Sequence, residues 1–83
     1  MKSTRDELDR IDDAILALLG QRGRLVTALW EQKRAAGVSV VDADRERAIF
    51  ARLRARATAA GLAPDAVEAV FRRVVGETFL SGR

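Results

Sequence analysis

The chain has 83 residues, with 15 Lys+Arg against 12 Asp+Glu, a formal charge of +3 and neither histidine nor cysteine. That length holds one domain, residues 1–83, and buries only about 60% of the unfolded surface, so a lone protomer is marginal. The composition excludes disulfides, thiolate metal sites and a histidine base, leaves chemistry to Arg, Lys, Asp, Glu, Ser and Thr, and gives no reason to expect a cofactor.

The opening residues, Met1 to Glu7, are charged, and no apolar run long enough for a signal peptide or a membrane span follows them. A soluble cytoplasmic protein without membrane contact is the expectation. A first helix is expected from about residue 4 to about residue 36. Thr4 is placed to cap it, with Glu7 three residues on in the capping-box pattern. Leu8, Ile11, Ile15, Leu18, Leu25 and Leu29 recur at the three-four spacing of a helix seam. Gly20 and Gly23 each cost roughly 1 kcal/mol against alanine there, so tertiary packing must offset them if the helix is unbroken. Gly37 and the run Val38-Ser39-Val40-Val41 interrupt the pattern. A second helix is expected from an Asp42 cap to Gly61, with the stripe Ile49, Phe50, Leu53, Ala57 and Ala60. A third is expected from Pro64, suited to the first helical turn, to near Ser81-Gly82, with the stripe Val67, Val70, Phe71, Val74 and Thr78.

This is an all-α chain of one long helix and two shorter ones, and lengths decide how it assembles. The first helix spans close to ~50 Å at about 1.5 Å per residue. Two helices of roughly half that length cover only part of its seam. A second copy covers the rest, so an intertwined six-helix homodimer is expected. A first helix bent near Gly20 and Gly23, in a monomeric three-helix bundle, is the competing arrangement.

Polar residues interrupt the apolar stripes at three places. Arg22 occupies a seam position between Leu18 and Leu25. Lys33 follows eleven residues later, about three turns, on the same side. Glu46 precedes Ile49 by three residues and Leu53 by seven, on the stripe of the second helix, with Arg45 beside it. A cation inside an apolar contact needs a counter-charge. In one reading Arg22 pairs with an internal carboxylate such as Glu46, or snorkels to water. In the other, two cations and a glutamate line a polar cavity for a small dicarboxylate, which arginine grips through paired hydrogen bonds. Arg5 lies seventeen residues before Arg22, about 25 Å away, and reaches such a cavity only from the other chain of an antiparallel dimer. The mild charge excess is interspersed. The four aromatics, Trp30, Phe50, Phe71 and Phe79, offer no stacking platform, which argues against nucleic acid as a partner.

The run Arg5-Asp6-Glu7-Leu8-Asp9-Arg10-Ile11-Asp12, followed by Leu18-Leu19, Arg22, Leu25, Lys33, Asp42, Arg45-Glu46 and Gly61-Leu62, resembles the all-helical chorismate mutases, without a gap over about 75 residues. The resemblance implies a domain-swapped dimer with two equivalent pockets. Each takes Arg5 from the other chain, Arg22 and Lys33 from the first helix, and Asp42, Arg45 and Glu46 from the loop and second helix. It implies that the arginines clamp the two carboxylates of chorismate, that Glu46 holds the ring hydroxyl and that Lys33 donates to the ether oxygen. Thr78 falls where a small hydroxyl residue often contacts ligand. The implied reaction is the Claisen rearrangement of chorismate to prephenate in aromatic amino-acid biosynthesis.

One position departs from the pattern. Gly82 stands where the family usually carries a Gln or Glu, a second donor to the ether oxygen. Losing such a donor lowers the rate by roughly 10²–10³-fold, by analogy with oxyanion holes. Substitution by Arg83, or ordering of this segment in a complex with the first enzyme of the shikimate pathway, would compensate. The same scaffold also suits a 4-amino-4-deoxychorismate mutase, an isochorismate pyruvate-lyase, or a regulatory module that binds a pathway metabolite without turnover.

Overall fold

The computed structural model describes residues 3–39 and 42–82. Three helices account for most of them, α1 (Thr4–Ala35), α2 (Ala43–Ala59) and α3 (Pro64–Gly76), with no strand among the described residues. Met1, Lys2, Val40, Val41 and Arg83, the last named above as a substitute donor, lie outside the described residues.

Local chemistry fixes most boundaries. The cap of α1 is Ser3 rather than Thr4. Its extended backbone (φ −86°, ψ 163°) turns its hydroxyl to accept from the Asp6 N–H at 3.1 Å, while Asp6 Oδ2 accepts the Ser3 N–H at 3.4 Å. Both Ser3 and Thr4 have an acid three residues on, and the extended conformation of Ser3 selects between them. At the other end Gly37 adopts φ 72°, its N–H bonds to Arg34 O, and Val38 N–H bonds back to Lys33 O. Gly61 (φ 77°) and Leu62 close α2 in the same way, on Thr58 O and Ala57 O. This double bond to the last carbonyls needs a left-handed residue, and glycine meets it without a Cβ penalty. Asp42 caps α2 by accepting from the Arg45 N–H at 3.0 Å, and Pro64 opens α3 behind Ala63.

The end of α3 differs from expectation. The helix stops at Gly76 instead of running to Ser81-Gly82. Glu77 is extended (φ −144°, ψ 161°) and Phe79 is left-handed (φ 62°), so the chain leaves the helix axis and crosses α1. The carbonyl of Thr78 comes so close to Gly23 that a Cβ there would sit 2.4 Å from it and 3.0 Å from the Leu80 side chain. Contact with α1 replaces the last helical turn. This crossing is also the tertiary contact that offsets Gly23, and α1 runs through both glycines unbroken.

α2 and α3 form a hairpin with its own interior. Ala57 and Val74 are buried, and Ile49, Phe50, Leu53, Val67 and Phe71 are half-buried, whereas Ala60 of the expected stripe is exposed. Charged residues lace its surface. Arg54 bridges to Asp65 at 2.8 Å and to Glu68 at 2.9 Å, and Arg72 reaches Glu68 at 2.6 Å while lying 4.6 Å over the Phe50 ring. Hydrogen bonds from Arg72 first, then from Arg54, hold the Glu68 carboxyl below the ordinary glutamate range.

By contrast, α1 is barely covered. Leu8, Ile11, Ile15, Leu18, Leu25 and Leu29 are between 45% and 72% exposed. The radius of gyration is 15.7 Å, where a compact chain of this length has about 12 Å. The accessible surface is 6704 Å², where a compact monomer of this mass exposes roughly 4,900 Å². Nearly all of the seam anticipated in the sequence is open in the single chain.

Candidate active site

α1 carries three of the candidate site residues, Arg5, Arg22 and Lys33. Arg22 is half-buried and donates from Nη1 to the Val74 carbonyl at 3.0 Å. Val74 lies in the last turn of α3, where four carbonyls lack helical partners and the dipole favours a cation. Arg22 therefore neither pairs with Glu46 nor extends freely into water: it closes the end of α3. Lys33 is half-buried in the last turn of α1, about 16 Å farther along the same side.

The start of α2 supplies the next group. The Asp42 carboxylate is engaged in capping, and Arg45 and Glu46 follow in the first turn, both exposed. Glu46 was expected on the covered stripe, but in the single chain it is exposed, and the covered part of the stripe begins at Ile49. Glu46 lines a hollow of about 460 Å³ with Ala43, Arg47, Phe50 and Arg72. Arg47 is paired there with Asp44, and Arg72 with Glu68.

Thr78 was expected on the last turn of α3. It lies instead in the crossing segment, half-buried, its hydroxyl accepting from the Leu80 N–H at 3.3 Å. Its carbonyl packs on Gly23, the residue next to Arg22. Arg5 stands exposed in the first turn of α1, at the opposite end of the helix from Lys33. Gly82 is exposed, with open space where a side chain would begin.

The single chain thus brings Arg22 and Thr78 to one place, Asp42, Arg45 and Glu46 to another, and leaves Arg5 apart. The side chains of Arg5, Lys33, Arg45 and Glu46 make no hydrogen bond or ion pair with another described residue. By contrast, Arg47, Arg54, Arg72 and Arg73 each hold a carboxylate.

A hollow of about 300 Å³ between α1 and α3 is lined by Ile15, Leu18, Leu19, Val70, Phe71 and Val74, with Arg22 as its one charged wall. A dianion in that apolar socket would be desolvated against a single cation, which is unfavourable. Apolar side chains from another helix suit it. Among the described residues no group of three or more His, Cys, Asp and Glu clusters as a metal site, and no helix is long and apolar enough to cross a membrane.

Two contacts escape sequence reasoning. The acceptor of Arg22 is a main-chain carbonyl, which carries no residue signature. Gly23 as the crossing point was signalled only indirectly, by two unfavourable glycines inside an otherwise strong helical pattern.

The chain matches the family described as chorismate mutase type II over residues 4–80, a span that includes all seven candidate residues. It is similar to the T-protein of Enterobacter agglomerans, 37% identical over 81 residues, which covers 98% of this chain and 22% of that protein. It is also similar to the T-protein of Haemophilus influenzae, 30% identical over 79 residues, covering 95% of this chain and 21% of that one. A bifunctional chorismate mutase/prephenate dehydratase of Aquifex aeolicus is 40% identical over 53 residues, 64% of this chain and 15% of that protein. The chain therefore spans about a fifth or less of the length of these relatives. No solved structure matches it significantly. With three helices in this order, and the match spanning the first turn of α1 to the segment after α3, the chain belongs to the chorismate mutase type II family.

Proposed function

We propose that this chain catalyses the Claisen rearrangement of chorismate to prephenate, as an intertwined six-helix homodimer with two pockets, each completed by the partner's Arg5. The observation that carries the reading is the family match over residues 4–80, which takes in Arg5, Arg22, Lys33, Asp42, Arg45, Glu46 and Thr78 together. The solvated seam of α1 and its apolar hollow support the dimer. Roughly 1,800 Å² of surface beyond that of a compact monomer is the amount an obligate interface covers on each side.

The chemistry suits the side chains. A pericyclic rearrangement needs no nucleophile, metal or proton shuttle. The protein must hold the substrate in a compact conformer in which the bond-forming carbons approach each other. It must also stabilise the negative charge that grows on the ether oxygen as the carbon–oxygen bond breaks. Arg22, Arg45 and the partner's Arg5 grip the two carboxylates. Glu46 accepts from the ring hydroxyl, Thr78 adds a contact, and Asp42 fixes the first turn of α2. Lys33 aims its ammonium at the ether oxygen, and only stabilisation that grows toward the transition state raises the rate. With Gly82 offering no second donor, the rate is expected to be modest and to respond to a protein that orders the segment after α3, such as the first enzyme of the shikimate pathway.

The test is the loss of chorismate absorbance with identification of the product. Prephenate from the wild-type chain and none from Lys33→Ala supports the reading. Chorismate that binds without turning over favours a metabolite-binding module instead. Turnover of 4-amino-4-deoxychorismate or isochorismate in its place assigns the sister reactions. Sharing between subunits has its own test. Arg5→Ala and Lys33→Ala chains assembled together give mixed dimers in about half the population. One pocket of each then carries both lesions and the other neither. Recovery of about a quarter of wild-type activity from two inactive parents is expected. No recovery excludes the partner's Arg5 from the pocket.

A further inference from the structure

We infer that Gly23 is a positioning residue for the candidate site: its missing side chain lets the segment after α3 lie on α1, and so lets the Val74 carbonyl hold the Arg22 guanidinium. The inference rests on the mutase reading for its kinetic consequence and on the geometry alone for its structural one.

α3 ends at Gly76, and the four carbonyls of its last turn lose their helical partners. One of them, Val74 O, accepts from Arg22 Nη1 at 3.0 Å. Four residues on, Thr78 O lies against Gly23, beside Arg22 in sequence. The two contacts join the same stretches of α1 and of the chain around the end of α3. A methyl group on residue 23 would meet Thr78 O at 2.4 Å, whereas real contacts of this kind essentially never fall under 3.0 Å, so the crossing segment must retreat by about 0.6 Å or more. The obstacle is backbone, without a rotamer to turn aside. A retreat of that size passed to Val74 stretches the 3.0 Å bond to about 3.6 Å, outside hydrogen-bond range. Phe79 already holds a left-handed φ of 62°, a conformation costly for a bulky residue, so the crossing has little latitude to rearrange without moving. Arg22 released from Val74 regains the rotamer freedom of a long side chain and must lose it again to grip a carboxylate.

Gly20 is an internal control. It lies one turn earlier in the same helix, but a Cβ there meets the end of the Arg24 side chain at 3.3 Å, which swings away cheaply. Both glycine-to-alanine changes gain the same helix propensity. Only Gly23→Ala disturbs the crossing.

The experiment measures chorismate turnover for wild type, Gly20→Ala and Gly23→Ala, with helicity, Tm and oligomeric state recorded for each. Gly23→Ala is expected to raise KM about tenfold or more while remaining helical and assembled like the wild type, and Gly20→Ala to leave KM and kcat unchanged. A lowered kcat at unchanged KM in Gly23→Ala, the mark of fewer folded molecules, overturns the positioning role, as does a KM equal to wild type. The side-chain N–H resonance of Arg22 supplies a second readout that needs no turnover. It is expected to move in Gly23→Ala and stay in place in Gly20→Ala, and an unmoved signal in Gly23→Ala overturns the inference. Absence of prephenate from the wild type counts against the mutase reading alone, and the Arg22 resonance then decides the positioning role by itself.

Discussion

The α2–α3 hairpin and α1 are built from similar residues and end in opposite states. In the hairpin, Ala57 and Val74 are buried, and the charges of Arg54, Asp65, Glu68 and Arg72 are satisfied within the pair. In α1, six large apolar residues of the seam are half or more exposed or nearly so, and the chain meets them at one crossing near Gly23. The contrast separates a region folded against itself from one whose apolar seam the chain leaves open. Arg54 and Arg72 of the hairpin hold Glu68, whereas Arg22 on α1 makes only a main-chain contact, to Val74 O.

The largest expected effect falls on Lys33, the cation proposed to face the ether oxygen. Lys33→Ala should lower turnover by at least ~10²-fold, the scale of removing one donor to a developing oxyanion. Arg54→Ala, which removes a cation already neutralised, should leave turnover within a few-fold of wild type. Equal losses in the two assays would count against the role proposed for Lys33.

Next in size is the seam. Burying one of its leucines or isoleucines fully is worth roughly 1.5–3 kcal/mol. Ile15→Asp with Leu18→Asp should convert the assembled species to monomer by analytical ultracentrifugation and lower Tm strongly. A wild type that sediments as a monomer at high concentration would refute the view that α1 is completed by a second copy.

The hairpin responds more gently. Gly61→Ala forces a left-handed conformation on alanine and should cost about 1 kcal/mol in urea unfolding, with an unchanged m-value. Smallest is the acid response of Glu68. Its carboxyl is held below the ordinary range, so the folded chain binds fewer protons than the unfolded one. The stabilisation is complete above the usual glutamate pKa of about 4.3 and fades as pH falls through and beneath the folded value. Glu68→Gln should flatten the fall of Tm with acidification in that window and leave it untouched near neutrality.

How legible each part was follows from where its information resides. The break at Gly37, the glycine cap at 61, Asp42 and Pro64 were readable because each is a local constraint met by few residue types. Ser3 was missed because Ser3-to-Asp6 and Thr4-to-Glu7 are equally good capping pairs, and only the extended backbone at Ser3 separates them. The end of α3 was placed too late because Thr78, Phe79 and Leu80 continue a helical pattern, and the contact that draws them away is fifty-odd residues distant in sequence. Of the candidate site, the residue types and their spacing along α1 were visible, and Glu46 beside Arg45 marked the start of α2. The exposed position of Glu46 was not, since the stripe it continues is covered only farther along the helix.

By itself the sequence determined three helices, most of their limits, the family and the set of charged residues that stand out of pattern, because periodicity, caps and charge act over a few residues. The tertiary structure alone decided that Arg22 answers to the Val74 carbonyl, that the chain after α3 crosses at Gly23, and that the hairpin closes while α1 stays open. Those outcomes depend on main-chain groups and surfaces that meet only once the helices are in place.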